Sequence, residues 1–355
     1  MKKEKSCSIK TSIGGQALME GIMMRGPKRT AMAVRNPQGE IVVEEWDTKS
    51  GTKNKFFKLP IVRGVFSFAD SMIMGYKCLM RSAEIAGLEE IEEEERRAKE
   101  AKKAAKAAKK AAKKGIELPA EPENVTDETS ENKDDSKKKK ESSLLTTLVM
   151  IVSVLFALVL VVGLFFWLPT FLYSLLGKAV PGIADNRYLR SAFEGIIRVA
   201  LLVGYMALVS LMKDIRRTFM YHGAEHKTIF CYEQGLELTV ENVKKQQRFH
   251  PRCGTSFLII MVLVGILVSF LIPTGIPNAL RVAIKIALMP VIMGLGYEII
   301  KIAGKYDNGF IRFISAPGMW LQRITTVEPD DDMIECAITA IQKVIPDDGS
   351  DRLDK

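Results

Sequence analysis

The sequence predicts an α-helical membrane protein of about four transmembrane helices with a small α+β cytoplasmic N-terminal region. Three observations predict it. The chain has 355 residues, 47% apolar and 26% charged, with a formal net charge of +9. Its apolar residues gather in the second half and its charges in the middle. Two stretches, Ser142 to Gly177 and Gly254 to Leu280, carry no charge at all, and each exceeds the about 20 apolar residues that cross a bilayer. Basic residues also alternate between loops, as the positive-inside rule requires.

Taken in order, residues 1–88 read as the N-terminal α+β region. Met1 to Lys10 is basic but no apolar core follows, so the N-terminus is expected to be uncleaved and cytoplasmic. Thr30 to Val34 and Glu40 to Trp46 alternate partly at period two around Asn36-Pro37-Gln38-Gly39, which predicts a β-hairpin. Phe66 to Leu88 reads as a helix. Residues 89–141 form a charged insertion. Glu89 to Lys114 starts acidic and ends in a Lys/Ala repeat, an order that complements the helix dipole and offers Glu92–Arg96 and Glu95–Lys99 pairs. No apolar stripe runs along it, so the helix is solvated all round. Glu117 to Glu141 is polar and proline-bearing, and reads as disordered. A contact with RNA, the ribosome or anionic lipid through the Lys/Ala helix competes with a plain spacer role, and the spacer is preferred.

The membrane domain is expected over residues 142–303. Leu144 to Leu168 and the run beginning at Gly254 are the clear spans. Ser191 to Met212 and Val282 to Ile300 are the other two, though they contain Glu194, Arg198, Lys285 and Glu298. Such charges are tolerated when paired, near an end or facing a bundle interior. The second span is expected to run on as one helix to about Glu233. Lys213, Arg216, Arg217, Lys244, Lys245 and Arg248 crowd the loop 213–253, whereas the opposite loops hold only Lys178, Arg187 and Arg190. That asymmetry puts the loop and both termini in the cytoplasm of a multi-pass cell-membrane protein. Residues 304–355 form a cytoplasmic C-terminal region, with Met319 to Ile324 on the membrane surface and an amphipathic helix at Glu335 to Ile345.

All three histidines of the chain lie between positions 222 and 250. His222 and His226, in Tyr221-His222-Gly223-Ala224-Glu225-His226-Lys227, are one turn apart on a helix and can close on one metal. Phe249-His250-Pro251-Arg252-Cys253-Gly254 returns to the start of the next span. His222, His226, His250 and Cys253 are therefore the candidate ligands, with Glu225 as a ligand or as the base for a bound water. Imidazole and thiolate suit zinc, while a carboxylate with imidazole also suits manganese or iron. Alternatively, Cys253 is a nucleophile at a helix N-terminus, helped by histidine. Five scattered cysteines without a C-x-x-C pair argue against a disulfide framework. In Gly14 to Pro27, Glu20 and Arg25 could face the metal loop as acid/base and anion clamp. The bland alternative is a buried strand with turns. No Walker lysine or G-x-G-x-x-G supports a nucleotide fold.

The segments Gly14 to Pro27, Leu59 to Gly64, Tyr221 to Lys227 and His250 to Thr255 together resemble the YqhQ-type bacterial membrane family. It is a family of unknown function, often labelled a metal-dependent enzyme. The resemblance covers Ser12 to Glu92 and Leu144 to Ile345, leaving the charged insertion outside it. It implies a membrane protein with a divalent metal but names no substrate. The expected function is a metal-dependent hydrolase acting on an unknown substrate at the cytoplasmic membrane face. A structural or sensory metal site, or a membrane scaffold, is the alternative. Transport is not favoured, because four spans with so few polar groups offer no pathway.

Overall fold

A computed structural model describes residues 9–48, 59–88, 135–180, 182–183, 186–250, 253–305 and 309–353. The chain divides into two compact units, Met1–Leu88 with Trp167–Lys355, and Glu89–Phe166. The expected Glu89 to Lys114 helix lies outside the described residues.

In the smaller unit, α2 (Asp135–Val162) leads into a π-helical turn at Gly163–Trp167. Residues 135–141, expected to be disordered, are helical. Lysine is a good helix former, and the apolar run that follows can propagate the helix backwards through them. α3 (Leu168–Ala179), the first helix after the boundary and part of the larger unit, carries Pro169 in its first turn. Proline has no N–H and its ring crowds the carbonyl four residues earlier, which accounts for the widened turn before it.

In the larger unit, β1 (Gly14–Leu18), β2 (Gly21–Arg25), β3 (Arg29–Arg35) and β4 (Ile41–Asp47) form an antiparallel meander in sequence order. The predicted hairpin is β3–β4. The glycine-rich segment is a second hairpin, with Leu18 opposite Gly21 and Glu20 at φ 51° in its turn. Strand residues alternate between faces. Ile22, Met24, Ala31 and Ala33 enter one core with Tyr221, Ala224 and Ile229 of α5 (Lys213–Glu233) and Met333, Ile334, Ala337 and Ile341 of α11 (Asp331–Gln342). Leu18, Met23, Met32 and Val34 enter another with Cys78 and Ala86, at α1 (Val62–Ile85). With both faces covered, β2 and β3 read as continuous apolar runs. The chain also closes on itself: the Leu353 N–H donates to the Lys10 carbonyl at 2.8 Å, and the Thr11 hydroxyl to Asp351 at 2.7 Å.

Helix α4 (Arg187–Val209) starts at Asn186, whose side chain accepts from the Tyr188 and Leu189 N–H groups. It does not continue to Glu233 as the sequence suggested. The chain breaks at 210–212, where Met212 is extended, and α5 starts afresh. Apolar α4 and polar α5 have different surroundings, and the break lets α5 pack on the sheet and α11. A short α6 (Val240–Lys244) follows, capped by Thr239. Helix α7 (Gly254–Ser269) is 16 residues long, or ~24 Å at 1.5 Å per residue. α8 (Asn278–Ala287) and α9 (Met289–Lys305) meet at a 46° bend beside Pro290, which removes a helix hydrogen bond there. α10 (Gly309–Thr325) packs along α7. Leu321 and Gln322 are fully buried, whereas Trp320 on the opposite face is 54% exposed, so 319–324 has one interior and one exposed face.

Among the described residues, Ile151–Ala179 and Arg187–Val209 are long and apolar enough to cross a membrane, and the bent pair α8–α9 makes a third if counted as one span. Two to three crossings are consistent with a membrane protein. The expected span over Gly254 to Leu280 is represented by the shorter α7.

The sheet–α5–α11 core should be the weak point for packing changes. Ile334 is fully buried, so Ile334→Ala should cost about 2–5 kcal/mol, read as a lowered thermal midpoint of the purified protein.

Candidate metal centre

Helix α5 divides its surface between two tasks. Tyr221, Ala224 and Ile229 bury into the sheet core. His222, Glu225 and His226 face a cavity of about 620 Å³ shared with Gly14, Gly15, His250, Cys253, Tyr297 and Lys301.

Ligand atoms of His222, His226 and Cys253 all lie within 4.8 Å of one another. The His222 Nε2 is 3.1 Å from the Cys253 Sγ. Each ring has its other nitrogen on a backbone carbonyl: Nδ1 of His222 on Thr325 O at 2.8 Å, and Nδ1 of His226 on Arg248 O at 2.5 Å. Those bonds fix the Nδ1–H tautomer, which leaves Nε2 as a lone-pair donor toward the centre. Metal-binding histidines are held this way. A tetrahedral zinc site needs ligand atoms roughly 3.3–3.8 Å apart, given Zn–N near 2.0 Å and Zn–S near 2.3 Å. Two imidazoles and a thiolate, with one pair at 3.1 Å and all within 4.8 Å, fit such an ion after small adjustments in both directions.

The supporting contacts come from four segments. Gln322 brackets the approach to Cys253: it accepts the His250 N–H at 2.8 Å and donates to His250 O at 2.7 Å and Ser256 Oγ at 3.0 Å. Lys227, buried beneath the motif, donates to Lys244 O at 2.9 Å and pairs with Glu328. Arg248 reaches the same carboxylate at 3.2 Å, so the carbonyl that orients His226 is itself tied down. Cys253 caps α7, with the Thr255 N–H 3.4 Å from its sulfur. Gly223 is the one spot where α5 can let the chain after α10 pass: an added Cβ would stand 2.1 Å from Val327 O.

Electrostatics reinforce the geometry. Burial disfavours the charged form of both His222 and Cys253, but each stabilises the other's charge. His222 is pushed up to about 9, and the Cys253 thiol falls well below its ordinary value under the pull of both histidines. Both shifts run in the direction of a thiolate–imidazolium pair. Burial pushes the Glu225 carboxyl up, outweighing the pull of the two imidazoles. One of its oxygens accepts the Gly15 N–H at 3.0 Å.

The structure thus brings together three of the four expected ligands. His250 lines the cavity with its ring 5.6 Å from that of His226, but its Nε2 faces Glu233 at 3.6 Å, outside the three-ligand group. Glu20 and Arg25 do not face the centre. Glu20 sits in the β1–β2 turn, paired with Arg217 and accepting from the Tyr221 hydroxyl at 3.2 Å. Arg25 pairs with Asp70 of α1 at 3.0 Å. What the glycine-rich segment gives the site is backbone. An added Cβ at Gly15 would meet Met23 O at 2.7 Å and the Glu225 carboxyl carbon at 3.0 Å, so only glycine brings that N–H to Glu225. Thr325, Arg248 and Lys227 had no signal in the sequence as supports, because two of them act through backbone carbonyls. Gln322 was visible only as a polar residue among apolar ones.

Comparison with known proteins adds a family. The family described as "Protein of unknown function (DUF1385)" matches residues 59–347. A curated protein of Bacillus subtilis (strain 168), "Uncharacterized protein YqhQ", is 33% identical over 339 residues, covering 95% of this chain and 93% of that protein. No solved structure matches the chain.

Two outcomes test the centre. Gly223→Ala must push Val327 away, dragging the Thr325 carbonyl from His222, so metal affinity should fall at least tenfold in a chelator competition. In metal-free protein, alkylation of Cys253 should already be near its plateau at pH 7. In His222→Asn it should instead climb with pH, by about tenfold per unit below an ordinary thiol pKa.

Proposed function

The chain belongs to the DUF1385 family, whose description carries no activity, and from the site itself we propose a membrane-embedded metal-dependent enzyme of the hydrolase class. His222, His226 and Cys253 hold one divalent ion, and Glu225 handles the proton. The observation that carries this reading is the convergence of three ligand atoms within 4.8 Å, with both Nδ1 atoms committed to backbone carbonyls. Zinc suits two imidazoles and a thiolate better than manganese or iron does. Bound there, it supplies a Lewis acid for a carbonyl or phosphoryl oxygen and acidifies a water.

The remaining work falls to the chain. Three protein ligands are the number that catalytic zinc sites use, whereas a structural clip closes with four. This favours catalysis over a structural or sensory site. Glu225, with a raised carboxyl value and one oxygen held by Gly15, suits a base that accepts a proton and returns it to a leaving group. The cavity combines Ile13, Ile229, Ile300 and Leu353 with the ammonium of Lys301. Such a lining fits a substrate with an apolar body and an anionic or polarised oxygen. The centre stands where α7 begins and α9 ends. With α7 read as a fourth crossing, the positive-inside pattern puts that end, and both termini, in the cytoplasm.

A second reading rests on the 3.1 Å Cys253–His222 contact, the geometry of a thiol nucleophile with its base. Elemental analysis separates the two. Purified full-length protein should hold close to one zinc per chain, and the His222→Ala/His226→Ala variant should hold none. Glu225→Gln should keep the metal and lose about 10²-fold or more of any hydrolysis of ester or phosphoester probes. A metal-free protein whose Cys253 is stoichiometrically acylated by the same ester probes would overturn the metal reading in favour of the thiol.

A further inference from the structure

A second cluster of charge lies at the other end of α7. Glu194 of α4 is fully buried, and three cations converge on it. Arg190, one turn earlier, sets its Nε 3.2 Å from Oε1. Arg281 of α8 sets its Nε 3.4 Å from the same oxygen. Lys285, one turn further along α8, pairs with Oε2. The three cations are 7%, 0% and 3% exposed. Three buried cations against one carboxylate leave a net charge of +2, and Arg198 stands one turn beyond Glu194 on the same helix. Among α3, α4, α7 and α8, Glu194 is the only carboxylate.

The other donors of these cations go to neutral groups. Arg190 reaches Asn278 Oδ1 at 2.7 Å, Arg281 reaches Pro273 O at 3.1 Å and Ser191 Oγ at 3.4 Å, and Lys285 reaches Thr170 Oγ1 at 3.1 Å. Neutral oxygens orient a buried cation but do not cancel its charge. The Nε of Arg281 is buried and meets no acceptor at hydrogen-bond geometry. The missing component is an anion of about two charges that accepts several hydrogen bonds. Guanidinium forks match tetrahedral oxyanions, and the Thr170 hydroxyl, which accepts from Lys285, can add a neutral donor, whereas the Ser191 hydroxyl donates to Ser269 O.

We propose that the Arg190–Arg281–Lys285 cluster around Glu194 is a binding site for an oxyanion of the phosphate class, distinct from the metal centre. Two sources share that chemistry: free phosphate, and the headgroup of an anionic phospholipid. A lipid source is compatible with the setting, because Tyr188 and Leu189, which precede Arg190 on a helix long and apolar enough to cross a membrane, are exposed.

Thermal unfolding of the purified full chain tests the site. In neutral detergent, inorganic phosphate should raise the midpoint saturably if the free anion is the ligand. If the source is lipid, phosphate should do little, whereas nanodiscs of phosphatidylglycerol in phosphatidylcholine should stabilise more than phosphatidylcholine alone, with phosphatidylglycerol retained in native mass spectra. Lys285→Gln, which leaves two arginines on Glu194, should weaken the effective probe tenfold or more, as loss of a charge-assisted hydrogen bond predicts. Arg281→Gln is the second variant. Because each variant is compared with and without the probe, a lower starting midpoint does not obscure the result. No shift with either probe, or an unchanged shift in both variants, would overturn the proposal.

Discussion

Two backbone carbonyls, those of Thr325 and Arg248, decide what the histidines can be. Each takes the Nδ1–H of one ring and so turns Nε2 toward Cys253. Neither carbonyl belongs to α5. One comes from the end of α10 and the other from the loop before α7. The centre therefore exists only when three separated stretches have packed, and the other contacts around it hold those stretches in place. Gln322 fixes the chain at His250 and Ser256, and Lys227 with Glu328 fixes the loop that carries Arg248. The same α5 buries Tyr221 and Ala224 against the sheet. A shift of the helix large enough to free the histidines would open the core.

This arrangement also explains why glycine recurs in both motifs. At Gly223 the obstacle is the Val327 carbonyl, and at Gly15 it is the neighbouring strand and Glu225 itself. At Gly223 the missing side chain admits the chain two residues past Thr325, whose carbonyl orients His222, and at Gly15 it lets the backbone N–H itself solvate the Glu225 carboxylate. The glycine density of a segment such as Gly14 to Pro27 is thus a property of a scaffold pressed against a site.

Much of this was legible from residues alone. Helical spacing placed His222 and His226 together, and the onset of an apolar run after Cys253 brought the thiol to the same level. Period-two alternation found β3 and β4. Sequence proximity to Cys253 cannot tell a ligand from its neighbour, and the His250 ring, in the same cavity, turns its Nε2 toward Glu233. Glu20 and Arg25 were misread because polar residues in a glycine-rich string suggest chemistry, whereas a hairpin turn and an ion pair to α1 account for them. The break between α4 and α5 was missed because hydropathy falls there without a proline or glycine to mark it. α7 is shorter than the charge-free run that announced it because that run continues through the turn before α8.

The closure of the two chain ends has a further meaning for biosynthesis. Thr11 and Asp351 are 340 residues apart, and Leu353 completes the cavity wall beside Ser12 and Gly14. At about 5–20 residues per second, roughly 20–70 s of translation separate the two edges of that wall. The glycine hairpin is made long before its final partner, and Cys253 emerges while the chamber is still open. Enclosure of the cavity is thus completed only when the tail docks.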